Sequence, residues 1–361
     1  MNHRELQPSR AIRPFPKFSR PTIEGFFSVD SGRQYQDSIC NLKYLKIPSR
    51  VDFNLNDGDS SYIDKPESAH DEQLTHILTF VMKNKSMMLS SQTMPDFVCF
   101  RGLLRLLMST PYEDREPWIV LATKFKNTIY LCAEETPRKR SERLRRTDRD
   151  IKFIRYGFKF ESFVLSDHPS EPPPGSRKPV IEAEEFCAMF STQVDGKKIL
   201  YGAEMDGVIA SKPCHTIEDI KQVPLVEVKV KRRETNERQV MNFHCFKSRN
   251  WWLQSFLVGI DSIHVGLRND DGIVDEVRRV SIKELSDEAK KNDYWHATVA
   301  MNFLNDFLKK VSSDMKQIDN PLVIHRYQWD PERSDFVNFQ RFDGHRHAFL
   351  SSEFVAAMNS I

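Results

Sequence analysis

Nowhere in the chain do roughly eighteen apolar residues follow one another, so it holds no candidate for a membrane-crossing helix. Residues 1 to 20 carry Pro8, Pro14 and Pro16 among polar and basic neighbours and lack the apolar core of a secretory leader. The six cysteines, at 40, 99, 132, 187, 214 and 245, include no Cys-x-x-Cys. Cys214-His215 and His244-Cys245 are each without the second pair that a zinc site requires, so buried thiols in a reducing compartment are the expectation. That places the protein in the nucleus, the cytoplasm or both, with no membrane partner. No unit of about 20 to 50 residues repeats, which excludes solenoids and propellers. Net charge is small as well: 53 Lys and Arg against 51 Asp and Glu give +2, too little to argue for nucleic acid by itself. What remains is a chain of 361 residues, 39% hydrophobic and 29% charged, enough for one large globular domain or two modest ones.

Taken in order, residues 1 to 50 scatter Phe15, Phe18, Phe26, Phe27, Tyr35 and Tyr44 among prolines and polar residues, which reads as an extended arm packed on a domain. Residues 53 to 72, rich in Asp, Asn and Ser, read as a surface loop. The arm is set at 1–70 and a single domain at 71–361. Leu74, Ile77, Leu78, Val81 and Met82 keep helical spacing over 72–84. A short strand turns into a helix over 97–108, and 118–124 pairs with 128–132 as a hairpin. One basic helix is expected over 137–164, then a proline-rich loop over 166–179. Asp195-Gly196 marks a hairpin between 190–194 and 198–208. Strands follow at 224–232, 262–267 and 274–280, and helices at 251–257 and 298–311. A last hairpin at 322–329 and 335–342 precedes a closing helix at 352–358. The class is therefore α/β (α+β), a mixed sheet flanked by helices.

The chemistry concentrates in two short stretches, Glu204-Met-Asp206 and Glu227-Val-Lys229. Side chains two apart on a strand share a face, so neighbouring strands would bring three carboxylates and one ammonium together. Like charges that close repel, and a divalent cation is the usual way to hold them. A Glu-x-Lys tripeptide means little alone: Glu288-Ala-Lys290 and Asp219-Ile-Lys221 repeat its spacing or a near copy in segments that read as helix. Glu227-Val-Lys229 differs because Val226, Val228 and Val230 give it a strand setting. Glu161 is the next position on a helical stripe of Ile151, Ile154 and Phe158, where a carboxylate is costly unless paired or metal-bound. Gln254, with Ser255, interrupts an otherwise apolar helix, and Arg101 stands at a strand-to-helix turn suited to a phosphate. Basic residues crowd 138–149 and follow the Glu-x-Lys strand at Lys231, Arg232 and Arg233; beside a carboxylate patch they would line a wall for a polyanion.

In chain order, Arg101, Gly157-Phe-Lys-Phe-Glu161, Glu204-Met-Asp206, Glu227-Val-Lys229 and Trp251-Trp-Leu-Gln-Ser-Phe256 resemble the motifs of the DXO-type decapping and exoribonuclease family. The segment Thr110-Pro-Tyr-Glu-Asp-Arg-Glu-Pro-Trp118 is similar as well, and the likeness covers about residues 95 to 350. The resemblance implies a PD-(D/E)-x-K nuclease core with an additional sheet, 71–361 being the catalytic domain. It implies a hydrolase of RNA 5′ ends, acting on incomplete or NAD-type caps and on 5′ triphosphates, with 5′-to-3′ exoribonuclease activity. By the same likeness Glu161, Glu204, Asp206, Glu227 and the Val228 backbone carbonyl would hold one or two Mg²⁺ or Mn²⁺ ions. Lys229 and Gln254 would act with Glu227 and Asp206 in catalysis, and Arg101, Glu204, Lys229 and Gln254 would touch the substrate. The partners implied are single-stranded RNA 5′ ends and, for a monomer, a 5′-to-3′ exoribonuclease. An endonuclease on the same core, or a non-catalytic RNA-binding partner of an exoribonuclease, stays open at this point.

Overall fold

The computed structural model describes residues 5–89 and 94–360. Its centre is a nine-stranded mixed sheet. From one edge to the other run Asn338–Asp343, Asn320–Trp329, Trp118–Phe125, Thr128–Glu134, Phe97–Phe100, Lys197–Glu204, Glu185–Val194, Thr22–Val29 and Tyr35–Gln36. Phe97–Phe100 is parallel to both its neighbours, whereas the hairpins on either side are antiparallel. The α/β class expected from the sequence is the one observed. Asp-Gly drives the central hairpin as its chemistry requires: Asp195 and Gly196 both take positive φ, at 48° and 82°. The 18-residue helix Ala297–Asp314 covers one face, with Phe307 set edge-on to Trp118 at 5.9 Å.

Two smaller four-stranded sheets flank this layer. One orders Leu225–Val226, Gly207–Val208, Tyr44–Leu45 and Leu165–Ser166; the other orders Val228–Arg232, Ser262–Arg268, Ile273–Ser281 and Phe53–Asn54. The strand expected at 224–232 is therefore split: Leu225–Val226 belongs to one sheet and Val228–Arg232 to the next, with Glu227 at the crossing. The single basic helix expected over 137–164 is likewise two, Pro137–Leu144 and Asp148–Val164. Thr147 explains the break. Its side chain accepts from Asp150 N–H while the Asp150 carboxylate accepts from Thr147 N–H, a capping box that starts a new helix.

The segment before residue 70 does more than lie on the surface. Thr22–Val29 is a strand of the large sheet, in register with Glu185–Val194 from Thr22 opposite Ser191 to Val29 opposite Glu185. Upstream, Asn302 donates to the Pro14 carbonyl at 3.1 Å, which ties the chain to the long helix. Cys99, Cys132, Cys187 and Cys214 are buried free thiols, as expected, whereas Cys40 is exposed and Cys245 half-buried.

Candidate active site

Three crossings of the backbone assemble the site. Lys197–Glu204 leaves the large sheet at Glu204, and two residues later the chain joins a small sheet at Gly207–Val208. Gly207 pairs with Val226 and Val208 with Leu225, antiparallel, so the residues just outside this short ladder, Asp206 and Glu227, are brought opposite each other. His264 N–H then donates to the Glu227 carbonyl at 3.0 Å, starting the parallel ladder of the other small sheet. Alternate residues of a strand bond to opposite sides, so Val228 turns its N–H and carbonyl to the open edge. There its N–H donates to Asp206 Oδ2 at 2.6 Å. That edge is where the resemblance placed a carbonyl ligand.

Glu227 is wholly buried, and Lys229 forms an ion pair with its Oε1. Its other oxygen, Oε2, lies 3.5 Å from the Arg101 guanidinium and has no hydrogen-bond partner among the described residues, nor has Arg101 Nη1. Arg101 is the first residue of the helix Arg101–Ser109 and is 8% exposed. Its side chain therefore works beside a helix N-terminus that no side chain caps.

Glu161 comes from the helix Asp148–Val164, but not by the stripe expected from the sequence. The buried face is Tyr156, Phe160 and Val164, spaced by four, while Ile154 is 38% exposed. Phe160 fixes that face: an added Cβ at Gly266 would sit 2.5 Å from its ring, so only glycine lets the helix lie this close to the sheet. Glu161 follows Phe160 and is carried to the carboxylates by that contact.

The electrostatics report the crowding. Burial, and then Asp206 and Glu204, hold the Glu161 carboxyl well above the ordinary range. The Asp206 carboxyl is pushed up to about 7 by burial and then Glu227, with Lys229, the Val228 N–H and Arg101 pulling the other way. Glu204 is also pushed up to about 7, by burial, then Glu185 and Asp206. The Glu204 side chain is itself exposed in the wall of the cleft, so the part of this shift that geometry supports is the repulsion from Glu185 and Asp206. For Lys229, burial opposes the charge, but Glu227 and Asp206 outweigh it and hold the ammonium protonated.

The cleft measures about 620 Å³, and Arg101, Glu204 and Gln254 share its wall. Every site residue expected from the sequence thus falls on this cleft or on the cluster behind it, with Arg101 joining the two. Sequence reasoning missed Arg105 and Glu185, which line the same cleft. Arg105 had a usable signal, one helical turn after Arg101; Glu185 had none, since it reaches Glu204 only through the pairing of two strands. Much of the expected basic wall is neutralised. Arg138 pairs with Glu142 and Glu332, Arg143 with Glu135 and Glu67, Lys231 with Glu234, and Arg233 with Asp275 and Glu276.

Among the described residues no three His, Cys, Asp or Glu side chains are grouped tightly enough to hold a metal ion as placed. The donors nonetheless fit a hard divalent cation by their chemistry: oxygen ligands only, carboxylates that repel one another, and a buried Glu227 Oε2 with no hydrogen-bond donor among the described residues.

A mixed sheet that delivers an aspartate at a strand end beside a Glu-x-Lys strand defines a nuclease core of the PD-(D/E)-x-K class. The family model described as RAI1 like PD-(D/E)XK nuclease matches residues 19–355, and the chain belongs to that family. It is 31% identical over 326 residues to the decapping and exoribonuclease protein Rai1 of Drosophila melanogaster, covering 86% of this chain and 84% of the fly protein. It is also 31% identical over 365 residues to the decapping and exoribonuclease protein of Rattus norvegicus, covering 98% of this chain and 88% of the rat protein. The crystal structure of Candida albicans Rai1 in complex with pU5-Mn²⁺ superposes with a TM-score of 0.83 at 19% identity, over 99% of this chain and 100% of that one. The last comparison speaks to the fold, and the fold expected from the motifs is the one found.

Proposed function

We propose that the protein is a divalent-metal-dependent hydrolase of RNA 5′ ends. It removes incomplete or non-canonical caps, NAD-type caps among them, and pyrophosphate from 5′ triphosphates, then degrades the exposed RNA distributively in the 5′-to-3′ direction. It works as a monomer in the nucleus or the cytoplasm, alone or beside a 5′-to-3′ exoribonuclease. The observation that carries this reading is the convergence of Asp206, Glu227 and Lys229 behind a cleft walled by Arg101, Glu204 and Gln254. The names of the fly and rat relatives, decapping and exoribonuclease proteins, support it. So do the pU5 and Mn²⁺ held by the Candida albicans protein.

Each residue has a task that follows from its setting. Glu161, Asp206 and Glu227, with the Val228 carbonyl, are the residues that would hold one or two Mg²⁺ or Mn²⁺ ions, with Glu204 reaching them through water. When bound there, a divalent ion supplies Lewis acidity, making water a better nucleophile and neutralising charge on phosphoryl oxygens. Lys229, kept charged by Glu227 and Asp206, meets the negative charge that develops on phosphorus-bound oxygens. Gln254 offers an amide that orients the attacking water. Arg101 and the helix N-terminus beside it grip a phosphate. Hydrolysis at an end does not require bases beyond the first few to be read, so sequence preference is weak.

The test is incubation with RNAs bearing a monophosphate, a triphosphate, an unmethylated cap or an NAD cap, with Mn²⁺ or with chelator. Release of mononucleotide, pyrophosphate or an intact cap dinucleotide in Mn²⁺ alone supports the reading; equal turnover in chelator contradicts it.

A further inference from the structure

The geometry points to a second RNA-contacting site on this chain: a basic-aromatic cleft in which Phe153, Arg149 and Arg268 hold a base and the adjoining phosphates of the strand leaving the active site. The inference rests on the reading that RNA enters by its 5′ end.

The cleft measures about 460 Å³ and is separate from the one walled by Arg101 and Gln254. Arg149, Lys152 and Phe153 come from the first turns of the helix that carries Glu161; Arg232 ends the strand that carries Lys229, and Arg268 is its partner in register. The two sites are thus fixed to one another by the same helix and strand. Eight helical residues separate Phe153 from Glu161, about 12 Å at 1.5 Å per residue. Three strand residues separate Lys229 from Arg232, roughly 10 Å. Val228–Arg232 is the edge of its sheet, and Lys229 and Arg232 point to its opposite faces, so a strand passing round that edge would meet the two sites a few nucleotides apart.

Charge marks this place. Arg232 is ion-paired with Asp270 at 2.5 Å, a carboxylate that also lines the cleft and attracts Arg268, whereas Arg149 and Lys152 form no ion pair among the described residues. That contrasts with Arg138, Arg143, Arg155 and Arg233, each tied to two carboxylates. Uncompensated cations alone would suit any anion. The aromatic component narrows the class. Phe153 is 40% exposed, with the Arg268 guanidinium 4.8 Å and that of Arg149 5.4 Å from its ring centre. Arg268 also lies 5.2 Å from the ring of Tyr156, whose hydroxyl donates to Asn56 at 2.8 Å, giving the cleft a fixed floor. An exposed ring between planar cations is what a nucleobase stacks on while its phosphates meet the guanidiniums, and it requires no base-specific hydrogen bond. An acidic peptide would use the cations and leave the ring idle.

The experiment measures binding of 5′-monophosphorylated single-stranded RNAs in chelator, so that nothing is hydrolysed, with 2-aminopurine placed at successive positions from the 5′ end. Wild-type protein is expected to quench the probe within one window of positions. Phe153→Ala should remove that quenching and weaken binding of a long RNA by roughly 5- to 50-fold. An RNA too short to reach the cleft should lose at least five-fold less. Arg149→Gln with Arg268→Gln should flatten the salt dependence of long-RNA binding. Unaltered quenching and affinity in Phe153→Ala would overturn the cleft and leave the nuclease reading standing. Equal losses on short and long RNA would also overturn it, because the residue would then act only through the helix that bears Glu161. If wild-type protein bound no RNA of any length, the cleft and the 5′-end reading would fall together.

Discussion

Asp206→Asn should abolish hydrolysis and yet make the metal-free protein more stable at neutral and higher pH. Burial and the neighbouring Glu227 carry the Asp206 carboxyl from 3.8 up to about 7 in the folded protein. An acid with a raised folded-state pKa contributes stability that is whole below its unfolded pKa and drains away as pH climbs through the folded value. An asparagine, neutral in both states, loses nothing, and it can still accept the Val228 N–H. The gap between variant and wild type therefore opens near pH 4, widens to about pH 7 and stays level above. Three pKa units at about 1.36 kcal/mol each set a ceiling of roughly 4 kcal/mol. Asp206 retains some contact with water, and screening brings the expected gain to about 2 kcal/mol. For a chain of this size that is a rise in Tm of roughly 2 to 5 °C. Thermal melting of both proteins in chelator from pH 4.5 to 8.5 reads it directly. Added Mn²⁺ should raise the wild-type Tm and leave the variant nearly where it was. A variant less stable than wild type at pH 8 in chelator would refute the argument, because the carboxylates would then be held by favourable contacts rather than crowded against repulsion.

Two further substitutions separate chemistry from scaffold. Lys229→Met keeps the length of the side chain and should lower turnover roughly 10²- to 10³-fold while RNA affinity changes only several-fold; a loss carried mainly by affinity would make Lys229 a phosphate anchor. Gly266→Ala drives a methyl into the Phe160 ring and should lower stability by about 1 to 3 kcal/mol. Because Glu161 rides on that helix, Mn²⁺ affinity should fall with it; unchanged melting and unchanged metal binding would contradict the packing described for Phe160.

The sequence made the site more legible than its scaffold, for physical reasons. Glu227-Val-Lys229 was readable because valines alternating with charges admit only one two-faced strand, and Asp195-Gly196 because both residues tolerate positive φ. The split at Glu227 was not readable: a strand that changes partner sheets keeps its alternation, and only the distant partners, Gly207–Val208 and Ser262–Arg268, show that it has changed. Glu161 was found for the wrong reason. Its neighbours Ile151 and Ile154 look like a buried stripe, but Tyr156 and Phe160 bury more surface, and the helix turns to suit them. Thr22–Val29 reads as an arm because it follows a proline-rich stretch and because the partner that makes it a strand lies more than 150 residues away. The basic wall illustrates a different limit. Composition counts cations, whereas the carboxylates that neutralise Arg138, Arg143 and Arg233 come partly from remote segments.

The measurement that bears most directly on the central claim compares a covalently closed RNA circle with its linear form, the latter carrying a 5′ triphosphate, in Mn²⁺ with wild-type protein and with Glu227→Gln. End-directed hydrolysis at the Asp206, Glu227 and Lys229 cluster predicts pyrophosphate and then 5′ mononucleotides from the linear RNA, an intact circle, and no product from the variant on either. Internal cleavage of the circle at several positions, or wild-type turnover by Glu227→Gln, would contradict it.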